Sequence, residues 1–182
     1  ELAKKLAEEL YHDKKSLIKI DMSEFSEGHG VSKLLGSPAG YIGYKERNHF
    51  LENIKKRPYS VILFDEFDKA HPKVKKLLLQ ILDEGELKDS SGKKIKFNHA
   101  TIILTTNLGS DLFKSSEIGF GGGDNNKQAE QNIMTKLKEE LGAELLGRIN
   151  TTCIFSLLKK QDIEKIVAKN IENISDELKS SK

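Results

Sequence analysis

A single cysteine, Cys153, stands in 182 residues, so no disulfide can close within the chain. A lone thiol fits a reducing compartment. Basic and acidic residues nearly cancel, 30 against 28, leaving a net charge of +2. So small an excess gives no strong attraction to polyanions. Nor is there a basic stripe interleaved with aromatics, which excludes the usual pattern of a nucleic-acid binder. The pairs Lys93-Lys94 and Lys159-Lys160 are short and read as solvated faces. No apolar run approaches the ~20 residues of a membrane-spanning helix, no secretory signal is visible, and no internal repeat is found. An initiator methionine is also missing. Glu1 leads directly into Leu2, Leu6 and Leu10 at helical spacing, as expected of a fragment whose N-terminus lies upstream. The length suits one domain, or one domain plus part of a second.

What the chain does have is the run Val61-Ile62-Leu63-Phe64-Asp65-Glu66. Four consecutive apolar residues suit a strand buried on both faces, as in a parallel α/β sheet. Burying an unpaired carboxylate costs several kcal/mol, so the two acids belong at the exposed C-terminal end of that strand. Open α/β sheets place their ligands there. One carboxylate at such a place can hold Mg²⁺ through water, while its neighbour polarises an attacking water. This resembles the Walker B arrangement of a nucleotide hydrolase, although the six residues taken alone also suit an ordinary strand followed by an acidic turn.

Around this run, the pattern predicts strands alternating with helices, hence an α/β sheet. Helices are expected over 1–12, 31–35 and 46–56, and from Pro72, which suits a first turn, through Leu77, Leu78, Ile81 and Leu82. Strands are expected over 17–21, 60–64, 100–105 and 152–156, with a hairpin over 87–97 turning at Ser91-Gly92. Residues 36–45 and 114–127 read as glycine-rich loops. Helices over 128–141 and 162–178 complete the set, the last carrying Ile163, Ile166, Val167, Ile171, Ile174 and Leu178 on one face.

Several stretches then fall in a recognisable order: Ile20-Asp21-Met22-Ser23-Glu24-Phe25, Gly40-Tyr41-Ile42-Gly43-Tyr44, Asp65-Glu66-Phe67-Asp68-Lys69-Ala70-His71-Pro72, Thr105-Thr106-Asn107 and Gly147-Arg148-Ile149-Asn150. Together they closely resemble the second AAA+ module of the Clp ATPases, ring-forming unfoldases of the ClpA, ClpB and ClpC type. The resemblance covers residues 1 to about 180. It implies an AAA+ P-loop-type parallel sheet flanked by helices, with residues 1–158 as the large subdomain and 159–182 as the first helix of the small helical subdomain. The phosphate-binding loop and the strand before it are expected immediately upstream of Glu1, and the small subdomain's sensor arginine beyond residue 182. The chain by itself is therefore expected to lack ATPase activity.

The resemblance also implies roles. Asp65 would organise Mg²⁺ through water, and Glu66 would activate the hydrolytic water. Asn107 looks like the sensor that orients this water or touches the γ-phosphate, a task suited to a neutral amide that both donates and accepts. Arg148 resembles the arginine finger that reaches a neighbouring subunit's nucleotide. Its surroundings depart from the family pattern: the run Gly142 to Asn150 has Gly142, Gly147 and Asn150 where the family has polar or charged residues. Gly40, Tyr41, Ile42 and Gly43 resemble the pore loop that grips a translocating polypeptide. Here an aromatic ring on a glycine-hinged loop offers contact area with few torsions to freeze. The following Lys45-Glu46-Arg47-Asn48-His49 is more basic than the family's acidic stretch. Ile118, Gly119 and Phe120, in a polar loop thirteen residues past Thr105, resemble the tripeptide by which ClpA, ClpC and ClpX dock onto the ClpP peptidase. That tripeptide favours a ClpC- or ClpA-like chain over a ClpB-like one.

The implied function is an ATP- and Mg²⁺-dependent unfoldase and translocase that threads unfolded or tagged polypeptides through a homohexameric ring and feeds a ClpP-type peptidase. Its implied setting is a bacterial cytoplasm or an organelle stroma or matrix, with no nucleic-acid or membrane partner. Two alternatives stay open. One is a ClpB-like disaggregase without a peptidase. The other is a degenerate module that stiffens a ring or binds partners without hydrolysis.

Overall fold

A computed structural model describes residues 1–36, 49–110, 124–156 and 158–180. Within them lie strands β1 (Leu17–Asp21), β2 (Val61–Asp65), β3 (Glu86–Lys88), β4 (Lys94–Lys96) and β5 (Thr101–Leu104). Strands β1, β2 and β5 form a parallel sheet in that spatial order, while β3 and β4 pair as an antiparallel hairpin. The register is in step: Asp21 lies opposite Asp65, and Phe64 opposite Leu104. The C-terminal ends of all three parallel strands therefore finish side by side.

The central strand is buried on both faces, as its unbroken apolar run predicts. On one side, helix α1 (Leu2–Tyr11) lays Ala3 and Ala7 against Val61. Small residues there let the helix approach the sheet closely. On the other side, Ile62 and Phe64 enter the main core with Leu51 and Ile54 of helix α3 (His49–Lys56), following the short α2 (Gly30–Leu35). Helix α4 (Pro72–Glu84) adds Val74, Leu78 and Ile81, spaced to share one face. Proline opens that helix, where an amide donor is not needed. The His71 ring caps it, with Nδ1 accepting the Lys73 amide at 3.2 Å. Gly85 ends it in a left-handed conformation at φ 64°, where a Cβ would meet the Asn98 side chain at 3.2 Å. The chain then enters the hairpin, whose Leu87 and Ile95 close the core from below.

The hairpin tip is held by one carboxylate. Asp89 Oδ1 accepts from the Ser91 hydroxyl at 2.6 Å, the Ser91 amide at 3.0 Å and the Lys93 amide at 2.9 Å. Its Oδ2 accepts from Lys55 of α3 at 3.0 Å. Burial pushes the Asp89 carboxyl up, but the Ser91 hydroxyl, Lys55 and the two amides together bring it down to about 2. Because the folded value lies below the unfolded one, this stabilisation is complete above about pH 4 and is lost as pH falls through about 2. A shift of this size corresponds to about 2 kcal/mol. Unfolding titrations of wild type and Asp89→Asn at several pH values should therefore differ by about that much at pH 6 and converge near pH 2. A gap independent of pH would refute it.

Beyond β5 come helices α5 (Asp124–Leu141), α6 (Ala143–Leu146) and α7 (Lys160–Ser180). Helix α5 starts at Asp124 rather than near residue 128, because polar residues such as Asp124 and Asn125 serve a first helical turn as readily as a loop. The expected strand over 152–156 does not form: residues 151–156 carry no regular structure, and Phe155 is 71% exposed. β-branched composition gives a strand only where a neighbouring strand takes its backbone hydrogen bonds. No described strand lies beside this one. Along α7 the apolar positions Ile163, Val167, Ile171 and Ile174 are exposed. Among the described residues, no helix is long and apolar enough to cross a membrane.

Candidate functional site

Asp65 is the last residue of β2, and Thr105 is the first residue past β5. Parallel register brings the two together, and Thr105 bonds to the acidic segment four times. Its amide donates to the Phe64 carbonyl at 3.0 Å, and its carbonyl accepts the Phe67 amide at 2.8 Å. Its hydroxyl donates to Asp65 Oδ1 at 2.5 Å and accepts the Glu66 amide at 3.2 Å.

Those bonds hold Glu66 at φ 55°, the left-handed region that a residue with a Cβ rarely adopts. The conformation costs on the order of 1 kcal/mol. It ends the strand's in-out alternation immediately after Asp65. Phe67, fully buried, anchors the next turn. Strain on one acid beside another makes this strand end a candidate functional site.

Each acid has a lysine partner. Lys19 of β1 reaches Asp65 Oδ2 at 2.6 Å, and Lys69 reaches Glu66 Oε2 at 2.5 Å. The Lys19 ammonium, then the Thr105 hydroxyl, hold the Asp65 carboxyl below the usual carboxylate range. Lys19 is raised in turn by Asp65. Asp21, at the end of β1, is lowered by the Ser23 hydroxyl and then the Ser23 amide. Asp65 and Asp21 are thereby kept ionised at neutral pH, ready to meet a cation.

Asp65 fits a site for Mg²⁺. A carboxylate at an open strand end, beside a hydroxyl, is the sparse donor set on which Mg²⁺ keeps most of its own water. Among the described residues no group of three or more His, Cys, Asp or Glu could cage a metal.

Asn107 lies two residues beyond Thr105 at this same end of the sheet, and it is exposed. Its turn is held by the Thr106 hydroxyl, which accepts the Leu108 amide at 3.1 Å, and by its own carbonyl, which accepts the Ser110 amide at 3.2 Å. Asp65 and Glu66 are thus both bound by Thr105, and Asn107 follows Thr105 by two residues past the same strand end.

Arg148 is not brought to them. Its Nε donates to Asp83 near the end of α4, and its Nη1 donates to the Glu144 carbonyl at 2.8 Å. Asp83 follows Pro72 by eleven residues, about 16 Å along the helix from the turn that follows the acids. The loop Gly40, Tyr41, Ile42 and Gly43 and the tripeptide Ile118, Gly119 and Phe120 lie outside the described residues.

Three participants were not assigned roles from sequence. Thr105 was visible only as part of a strand-end motif. Lys19 had one signal, a polar residue alternating with Ile18 and Ile20 in β1. Asp83 had none, since its pairing with Arg148 joins residues 65 apart.

Comparison with known proteins agrees in kind. The family profile described as AAA domain (Cdc48 subfamily) matches residues 1–152. The chain is 42% identical over 182 residues to a probable ATP-dependent Clp protease ATP-binding subunit of Chlamydia pneumoniae, covering 98% of this chain and 22% of that protein. It is 42% identical over 177 residues to the chaperone protein ClpB of Bacteroides thetaiotaomicron, covering 96% of this chain and 20% of that one. The solved S. cerevisiae Hsp104:casein complex superposes with a TM-score of 0.82 at 39% identity, covering 97% of this chain and 30% of that chain. The chain thus spans about a fifth of the length of the curated relatives it matches.

Proposed function

Because this chain belongs to the AAA domain family, Cdc48 subfamily, we propose that it is part of the ATP-hydrolysing module of a Clp-type protein unfoldase. The observation that carries this reading is Asp65 and a strained Glu66, both bound by Thr105 at the C-terminal end of one parallel sheet, with Asn107 two residues further along the chain. Bound Mg²⁺ and ATP would supply the phosphoryl group to be transferred and the charge that activates it. Asp65 would hold the cation through water, Glu66 would take up the proton of the attacking water, and Asn107 would orient that water. Arg148, held away from its own subunit's acids, serves the pocket of the next subunit in a homohexameric ring.

Work on a polypeptide follows from Tyr41 and Ile42, flanked by Gly40 and Gly43, as a sequence-tolerant grip at the pore. The name of the Chlamydia relative and the casein in the yeast complex support protein substrates. Residues 159–182 are the start of a helical subdomain. We assign Ile118, Gly119 and Phe120 to a ClpP-type peptidase: two apolar residues within a polar stretch of sequence suit an anchor for an apolar pocket. The test is binding of the full-length protein to such a peptidase in ATP. Phe120→Ala is expected to weaken it by about 30-fold, the loss typical of an interface hot spot. A wild type that ignores the peptidase but reactivates aggregated protein with ATP would favour the second reading, a disaggregase, which the ClpB relative supports.

A further inference from the structure

Both oxygens of the Asp65 carboxylate are already taken by this chain's own side chains. Oδ1 accepts from Thr105, and Oδ2 from Lys19. The two partners are not equally held. Thr105 is fixed through its backbone to Phe64 and Phe67, and its hydroxyl also accepts the Glu66 amide, so a hydroxyl that turned away from Asp65 would drop that amide as well. Lys19 stands on β1 with its side chain 55% exposed and its ammonium on Asp65 at 2.6 Å. A long flexible stem in water gives up an exposed ion pair readily.

We propose that Lys19 is a resident counter-ion of Asp65 which a divalent cation must displace, so that this one side chain sets the Mg²⁺ concentration at which the module takes nucleotide. The inference rests on the reading of Asp65 as the metal-side acid. Before nucleotide arrives, the ammonium keeps the carboxylate oriented and neutralised, and Thr105 fixes its other oxygen. On arrival of the hydrated cation, a single exposed ion pair is exchanged for a stronger one. The competition is between a monovalent and a divalent cation for one oxygen, so removing the lysine charge makes the metal bind at lower concentration. A purely structural lysine would instead alter stability and leave the metal requirement where it was.

The experiment uses the full-length protein at a fixed concentration of fluorescent ADP, titrated with free Mg²⁺. In Lys19→Met and Lys19→Gln, which keep a similar stem without the charge, half-maximal binding should occur at about fivefold lower Mg²⁺. In Lys19→Arg, which keeps the charge, it should stay within about twofold of wild type. If both neutral variants titrate like wild type, the proposal is overturned. If wild-type binding ignores Mg²⁺ and is unchanged by Asp65→Asn, the assignment of Asp65 itself fails, and this inference fails with it.

Discussion

Arg148→Ala is expected to lower ATP turnover of the full-length protein by about 10³-fold or more while leaving nucleotide binding within a few fold. The guanidinium sits on the Asp83 carboxylate and the Glu144 carbonyl, away from the acids at the sheet end. It therefore cannot help its own subunit's chemistry without a large rearrangement. If it acts across a subunit boundary, its contribution is to charge that develops only as the phosphoryl group transfers, so turnover falls and ground-state binding does not. Arg148→Lys is not expected to rescue, because a point charge lacks the planar fork that spans two oxygens. Mixing Arg148→Ala subunits with subunits that carry an intact arginine but an inactive acid should recover part of the turnover. An unchanged rate in Arg148→Ala rings would mean that this arginine only staples α6 to α4. The altered residues around it, Gly142, Gly147 and Asn150, would then mark a module whose finger has been lost.

Glu66→Gln is expected to cut turnover by about 10²- to 10⁴-fold with nucleotide binding preserved. Glutamine keeps the size and most of the hydrogen bonding of glutamate, but it takes no proton from water. The backbone at this position is held by the Thr105 hydroxyl and carbonyl, not by the Glu66 side chain, so the strained turn should survive the change. Lys69 loses its partner, and at 49% exposure it simply returns to solvent. Single-turnover kinetics together with nucleotide titration separate the two effects. Turnover equal to wild type would remove Glu66 from the chemistry and leave its left-handed backbone without a purpose.

These two variants differ in how readable their residues are. Glu66 was legible because burial and charge conflict within six consecutive residues: four apolar side chains demand a buried strand, and two acids demand its exposed end. That conflict is local, so it needs no structure to be noticed. Arg148 was legible only through family resemblance, and its actual partner, Asp83, was not legible at all. Strand 152–156 shows the opposite failure. Its β-branched composition is a real local preference, but a strand is completed by a neighbour's hydrogen bonds, and no described strand provides them.

Local chemistry thus determined the elements and the acids. The unbroken apolar run marked β2, Pro72 marked the first turn of α4, and the carboxylates of Asp65 and Glu66 had to lie at a strand end. Tertiary structure alone decided who attends those carboxylates. Thr105 reaches Asp65 across 40 residues of sequence and Lys19 across 46, because parallel strands from distant segments end in step. Sequence patterns report the environment each residue requires. Which side chain supplies that environment depends on register and on a few ångströms of separation, and these exist only once the sheet has closed.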